Sequence, residues 1–185
     1  MLTHGAGANC QAPLLVTVAD AFAAGGFCVL RCDLAFRQRK PAGPPTRSTA
    51  AEDRAGLRTA VAYLRGIVDA PIVLGGHSYG GRQATMLAAE DQGVADALML
   101  LSYPLHVPDK PDQLRTGHFP ELRTPALFVH GTKDPFGTPG EMRAALALIP
   151  VRKEFVLVEG AGHDLRHKAF DADAVLAEIT SLLIG

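Results

Sequence analysis

A serine, an aspartate and a histidine in this chain stand where acyl chemistry would need them. Ser78 lies in Gly75-Gly76-His77-Ser78-Tyr79-Gly80-Gly81, after the apolar run Ala70-Pro71-Ile72-Val73-Leu74 and before a stretch of helix formers over 82–90. Strand, sharp turn and helix are the setting in which Gly76-x-Ser78-x-Gly80 becomes a nucleophile elbow. A serine at the apex of so tight a turn sits at strained φ/ψ. The residues two before and two after it crowd strand and helix, so only a hydrogen fits there as side chain. Its hydroxyl then stands at the positive end of a helix, where a developing oxyanion is favoured.

A serine hydroxyl is a weak nucleophile until a base takes its proton. Imidazole titrates near neutrality and suits that task, and a carboxylate must hold its tautomer and stabilise the imidazolium. Ser78, Asp134 and His163 occur in that order, Asp134 in Gly131-Thr132-Lys133-Asp134-Pro135 and His163 in Gly160-Ala161-Gly162-His163. Each follows a predicted strand. An aspartate before proline is also a common turn or cap residue. His167 competes for the base role but falls beyond the loop; Asp164 adjoins the base and cannot easily turn back onto it. Asp109 and Asp112 are the fallback acids. An oxyanion needs two backbone N–H donors, one from the residue after the nucleophile and one from the loop after the neighbouring strand. Those are Tyr79 and, in Thr3-His4-Gly5-Ala6-Gly7, Ala6. The same glycine loop could cradle a phosphate, but neither the dinucleotide nor the Walker pattern is present.

The elements that must position these groups follow from periodicity. Helical spacing predicts helices over 13–24 (Leu14, Leu15, Val18, Phe22, stopped by Gly25-Gly26), from Ser48 or Thr49 through Ile67, over 141–149, and from Asp171 or Asp173 onward. Continuous apolar runs predict strands near 1–4 and over 27–34, 70–74, 97–101, 125–130 and 154–158. The stretch 36–48, with Arg37, Arg39, Lys40, Arg47 and three prolines, reads as an exposed loop, and 107–121 as a surface loop or lid. Strands that alternate with helices, each strand apolar throughout, mean a mostly parallel sheet of about six strands covered on both faces: a three-layer α/β/α sandwich. No repeat or linker divides the chain, so 1–185 reads as one domain. Ligands of such sheets bind beyond the carboxyl ends of the strands, the edge where Ser78, Asp134 and His163 fall.

Composition narrows the classes further. A net charge of −1 argues against a nucleic-acid partner. No apolar run reaches bilayer length, and Met1-Leu2-Thr3-His4-Gly5 lacks a secretory n-region and h-region, so the expectation is a cytoplasmic protein with no membrane partner. The three cysteines are an odd count. Cys28 and Cys32, four residues apart on one strand, are about 13 Å apart, too far for a disulfide, so the thiols read as buried and reduced.

Taken together, Leu2-Thr3-His4-Gly5-Ala6-Gly7, Gly76-His77-Ser78-Tyr79-Gly80-Gly81 followed by Arg82, Ser102-Tyr103-Pro104-Leu105-His106, Leu127-Phe128-Val129-His130-Gly131 with Asp134, and Gly162-His163 resemble the α/β-hydrolase superfamily. More narrowly, the chain resembles the small dienelactone-hydrolase-like branch that includes testis-expressed and chromatin-complex α/β-hydrolase-like proteins. The resemblance implies a serine hydrolase of esters or related small acyl compounds that uses no cofactor and no metal. It also implies that two leading strands usual in the superfamily are absent, either because the fold is trimmed or because the chain has lost its start. The strand around Val29 would then be an exposed edge that invites a homodimer. Two other readings share the scaffold: a non-catalytic interaction module, as some relatives in that branch serve, and an acyltransferase or perhydrolase using the same three residues. Arg37, Arg39, Lys40 and Arg47 could receive an acidic substrate, although a solvated loop is the commoner role. His4, Tyr103 and His106 are candidate pocket residues.

Overall fold

The computed structural model describes residues 1–184 and, for Arg47, the backbone alone. Among these residues the sheet has six strands: β1 (Leu2–Thr3), β2 (Arg31–Cys32), β3 (Val73–His77), β4 (Ala97–Leu101), β5 (Ala126–Gly131) and β6 (Lys153–Val158). They run in the order β2-β1-β3-β4-β5-β6, every pair parallel. Helices α1 (Pro13–Ala24), α2 (Ala35–Arg39), α3 (Ala50–Arg65), α4 (Tyr79–Glu90), α5 (Pro139–Leu146) and α6 (Ala172–Ile184) connect and flank them. Side chains alternate across a strand, and the core divides accordingly. Leu98 and Leu100 of β4 join Leu57, Val61, Leu87 and Met142 on the α3–α4–α5 side. Met99 and Leu101 join Leu15, Val18, Val175 and Ile179 on the α1–α6 side.

Several elements differ from the pattern reading, each for a physical reason. The strand expected over 27–34 pairs only at Arg31–Cys32, because its sole neighbour β1 offers only Leu2 and Thr3. The strand expected to stop at Leu74 continues through Gly75 and Gly76 to His77. Glycine is required there: a Cβ on Gly75 would lie 2.6 Å from Met99 O. The stretch 36–48 is not simply exposed, since α2 buries Phe36 and Arg37. Nor is 107–121 a free lid. Phe119 is fully buried against Tyr103 and Phe128, and Arg115 N donates to Leu105 O at 2.8 Å. α5 starts two residues early because Thr138 and Glu141 form a capping box ahead of Pro139. Asp171 Oδ1 caps α6 by accepting from the N–H groups of Asp173 and Ala174. All three cysteines are free, but they are not buried: Cys28 is exposed, and Cys10 and Cys32 are half-covered. No described helix is long and apolar enough to cross a membrane.

Candidate active site

The turn between β3 and α4 sets the site. Ser78 adopts φ 51°, ψ −116°, a conformation held at a cost of order 1–3 kcal/mol, and its N–H donates to Leu101 O at 2.9 Å. A Cβ on Gly76 would lie 2.8 Å from the Gly80 carbonyl carbon, and one on Gly80 would lie 2.6 Å from His4 O. Both contacts are to backbone, which cannot swing aside. The two glycines of the elbow are therefore steric necessities.

Two loops at the same sheet edge deliver the other groups. Asp134 follows β5, and its carboxylate is fully shielded from solvent. His163 follows β6. The loops are laced together: Lys133 N donates to Ala161 O at 2.9 Å and Gly160 N donates to Thr132 Oγ1 at 2.8 Å. His163 Nδ1 lies 2.8 Å from Asp134 Oδ2, and His163 Nε2 lies 2.8 Å from Ser78 Oγ. A carboxylate can only accept, so Nδ1 carries the proton and Nε2 is left to accept from the serine hydroxyl. Asp134 Oδ1 is held in turn by Phe136 N at 2.8 Å. Of the rival groups, Asp164 pairs with Arg166, and His167 rests against Gly160 with Nδ1 accepting from Ala169 N. Asp109 and Asp112 are solvent-exposed.

Three further residues at the site are not evident from periodicity. His77 Nε2 donates to His163 O at 2.8 Å, and burial pulls its imidazole down to about 4, so the ring is neutral and braces the backbone of His163. The Phe136 ring lies against His163 with centroids 4.2 Å apart. Asp53, wholly buried, accepts from Phe36 N at 2.9 Å through one oxygen and from the Tyr79 hydroxyl at 2.7 Å through the other. Burial and that bond push the Tyr79 phenol upward. The signal for His77 was its place inside the elbow; for Phe136 and Asp53 no local pattern exists.

Ala6, Ser78 and Tyr79 line one cavity of about 690 Å³. Tyr79 N is the first helical N–H of α4 and has no intrahelical acceptor. The Ala6 loop is held by Arg37, whose guanidinium donates to Ala6 O at 2.9 Å, Ala8 O at 2.8 Å and Gly43 O at 3.1 Å. Arg37 is therefore a clamp on this loop and not a receiver of acidic substrate. Arg39 pairs with Glu52, Lys40 is exposed, and the Arg47 side chain falls outside the described residues.

The three candidate pocket residues do not line the cavity. His4 is fully buried, its Nδ1 donating to Gly5 O at 2.8 Å and its Nε2 accepting from Leu34 N at 3.1 Å. Tyr103 points into the aromatic core, its hydroxyl donating to Arg115 O at 2.6 Å. His106 is buried, with Nδ1 2.9 Å from Val107 O. The chain does turn toward the cavity beside them: Pro104 lines it, with Arg82, Met86, Gln113, Arg115 and Phe136. Tyr103 and Leu105 on either side of it are buried in the core. Among the described residues, no three His, Cys, Asp or Glu side chains gather to hold a metal.

A family model described as an alpha/beta hydrolase domain matches residues 1–181. The chain belongs to the α/β-hydrolase family. Solved structures of similar fold include Est1E from Butyrivibrio proteoclasticus, 17% identical with a TM-score of 0.80, covering 100% of this chain and 87% of that one. A dienelactone hydrolase from Anabaena variabilis is 22% identical with a TM-score of 0.73, over 97% and 82% of the two chains. The esterase domain of a Rhodothermus marinus protein is 18% identical with a TM-score of 0.71, over 98% and 86%. At such identities the likeness is one of fold, and it agrees with the six parallel strands and flanking helices described above.

Proposed function

We propose that the protein is a serine hydrolase that cleaves an ester or related acyl compound through an acyl-enzyme on Ser78, as a carboxylesterase or dienelactone-hydrolase-like enzyme. The observation that carries the reading is the line from Asp134 through His163 to Ser78, with both hydrogen bonds at 2.8 Å. Ser78 Oγ attacks the acyl carbon as its proton passes to His163 Nε2, and the carbonyl oxygen becomes an oxyanion held by the N–H groups of Ala6 and Tyr79. Asp134 stabilises the imidazolium without taking its proton. The C–O bond to the leaving group then breaks, His163 returns the proton to the departing alkoxide, and an acyl-enzyme remains. Water repeats the sequence, giving up a proton to His163 and releasing the acid and free Ser78. The buried neutral His77 and the Phe136 ring keep the base in register.

A fluorophosphonate probe tests the reading, because it reacts with activated serines. The folded wild type is expected to label, whereas Ser78→Ala and His163→Ala are not. A folded wild type that does not label overturns the proposal and favours a non-catalytic module, for which the exposed edge of β2 is the first surface to probe.

A further inference from the structure

Arg82 and Arg115 both line the cavity that holds Ser78, and among the described residues no Asp or Glu lines it with them. The arginines that form ion pairs are Arg39, Arg54, Arg58, Arg65, Arg152 and Arg166; neither cavity arginine pairs with an acid among the described residues. Arg82 Nε is sealed from solvent with no acceptor. Arg115 has one long bond, from Nη1 to Pro104 O at 3.4 Å. Burial and the Arg82 charge together push the Arg115 guanidinium down from its ordinary value. The same cation also helps hold His118 near 4, after burial. Two half-buried guanidiniums facing one space without a counter-charge are unfavourable in the empty protein, through lost hydration and mutual repulsion.

The positions are also fixed. Arg82 lies one helical turn beyond the nucleophile, its N–H donating to Ser78 O at 3.0 Å. Its Cα is therefore displaced from that of Ser78 by roughly 6 Å along α4. Arg115 is anchored at both backbone groups, through Leu105 O and the Tyr103 hydroxyl. The backbone so fixed carries two planar forks at the wall of the cavity, and such forks suit the two oxygens of a carboxylate.

We infer that Arg82 and Arg115 form an anion subsite, and that the substrate is an acyl ester carrying a free carboxylate about one helical turn from the bond that is cleaved. The nucleophile helix and the 107–121 segment thus supply a cationic wall of the site, whereas Arg37 of the 36–48 stretch clamps the Ala6 loop. The word substrate here rests on Ser78 being the nucleophile; the anion subsite does not.

The experiment pairs 4-nitrophenyl hydrogen glutarate with its neutral methyl ester. Wild type is expected to favour the anionic ester in kcat/KM by roughly tenfold or more, the scale of one charge-assisted hydrogen bond. The preference should shrink with added salt, collapse toward unity in Arg82→Gln and Arg115→Gln, and persist in part in Arg82→Lys. An equal or reversed preference in wild type, or one untouched in both glutamine variants, overturns the inference. Calorimetry on Ser78→Ala with monomethyl glutarate against dimethyl glutarate reads the subsite without turnover. Tighter binding of the anion, lost in the Arg82→Gln double variant, sustains the subsite even if no ester is hydrolysed, in which case the acyl-enzyme reading alone has failed. Equal binding of the two compounds sinks the subsite.

Discussion

Asp134→Asn should disable the site without disturbing the fold, and the structure says why in atomic terms. An asparagine side chain has one accepting and one donating end. Oδ1 of Asp134 accepts from Phe136 N at 2.8 Å, which requires the carbonyl end to occupy that position. The amide nitrogen then replaces Oδ2, 2.8 Å from His163 Nδ1 and 3.7 Å from His130 Nδ1, which is buried and otherwise unpartnered. His163 Nδ1 must now accept, so its proton moves to Nε2, and the ring offers Ser78 a donor where a base is needed. A wrong tautomer of this kind costs on the order of 10⁴-fold in kcat, equivalent to about 5 kcal/mol of transition-state stabilisation. Thermal stability should stay near wild type, because the two hydrogen bonds made by the Asp134 side chain, to Phe136 N and to His163 Nδ1, both keep a partner. Asp134→Ala provides the contrast: it strands the Phe136 N–H and should lower stability by about 1–3 kcal/mol. The assay is the second-order rate of fluorophosphonate labelling beside a thermal melt. Labelling of Asp134→Asn within tenfold of wild type would show that His163 does not work through the tautomer set by Asp134.

Two further outcomes follow from strain and from burial. Ser78→Gly relieves the positive φ at the elbow, so it should be more resistant to denaturant than Ser78→Ala by about 1 kcal/mol after the entropy of glycine is counted; a less stable Ser78→Gly would contradict the strain. His77 and His118 are both held near 4 in the fold, against an ordinary value of 6.5. The unfolded chain therefore binds more protons between those limits, and stability present above pH 6.5 should be lost as pH falls toward 4. The denaturant midpoint measured across that window should show a shallower slope in His77→Gln, and a wild-type profile that is flat there would rule the explanation out.

Legibility in the sequence divided along a physical line. The helix over 13–24 and the strand over 97–101 are observed at those bounds, because apolar periodicity is a local property that burial on both faces reinforces. Strand ends were less visible: 27–34 is strand-like along its length, yet pairing depends on a two-residue neighbour. Arg37 carried the charge and proline-rich surroundings of a surface loop, and nothing local marks it as a buried clamp 31 positions from Ala6.

What the sequence determined alone is the elbow and the order of the reactive groups. Gly76, Ser78 and Gly80 are dictated by sterics within five residues, and a strand followed by a short loop is enough to bring Asp134 and His163 to the carboxyl edge of a parallel sheet. What only the tertiary structure decided is which neighbours those groups have. That His77 braces His163, that Asp53 holds both Phe36 and Tyr79, and that Arg82 and Arg115 face the cavity while Arg37 does not, all depend on contacts between segments far apart in the chain. Side-chain type and spacing carry the first kind of information; the second arises only when the loops are laid against one another at the end of the sheet.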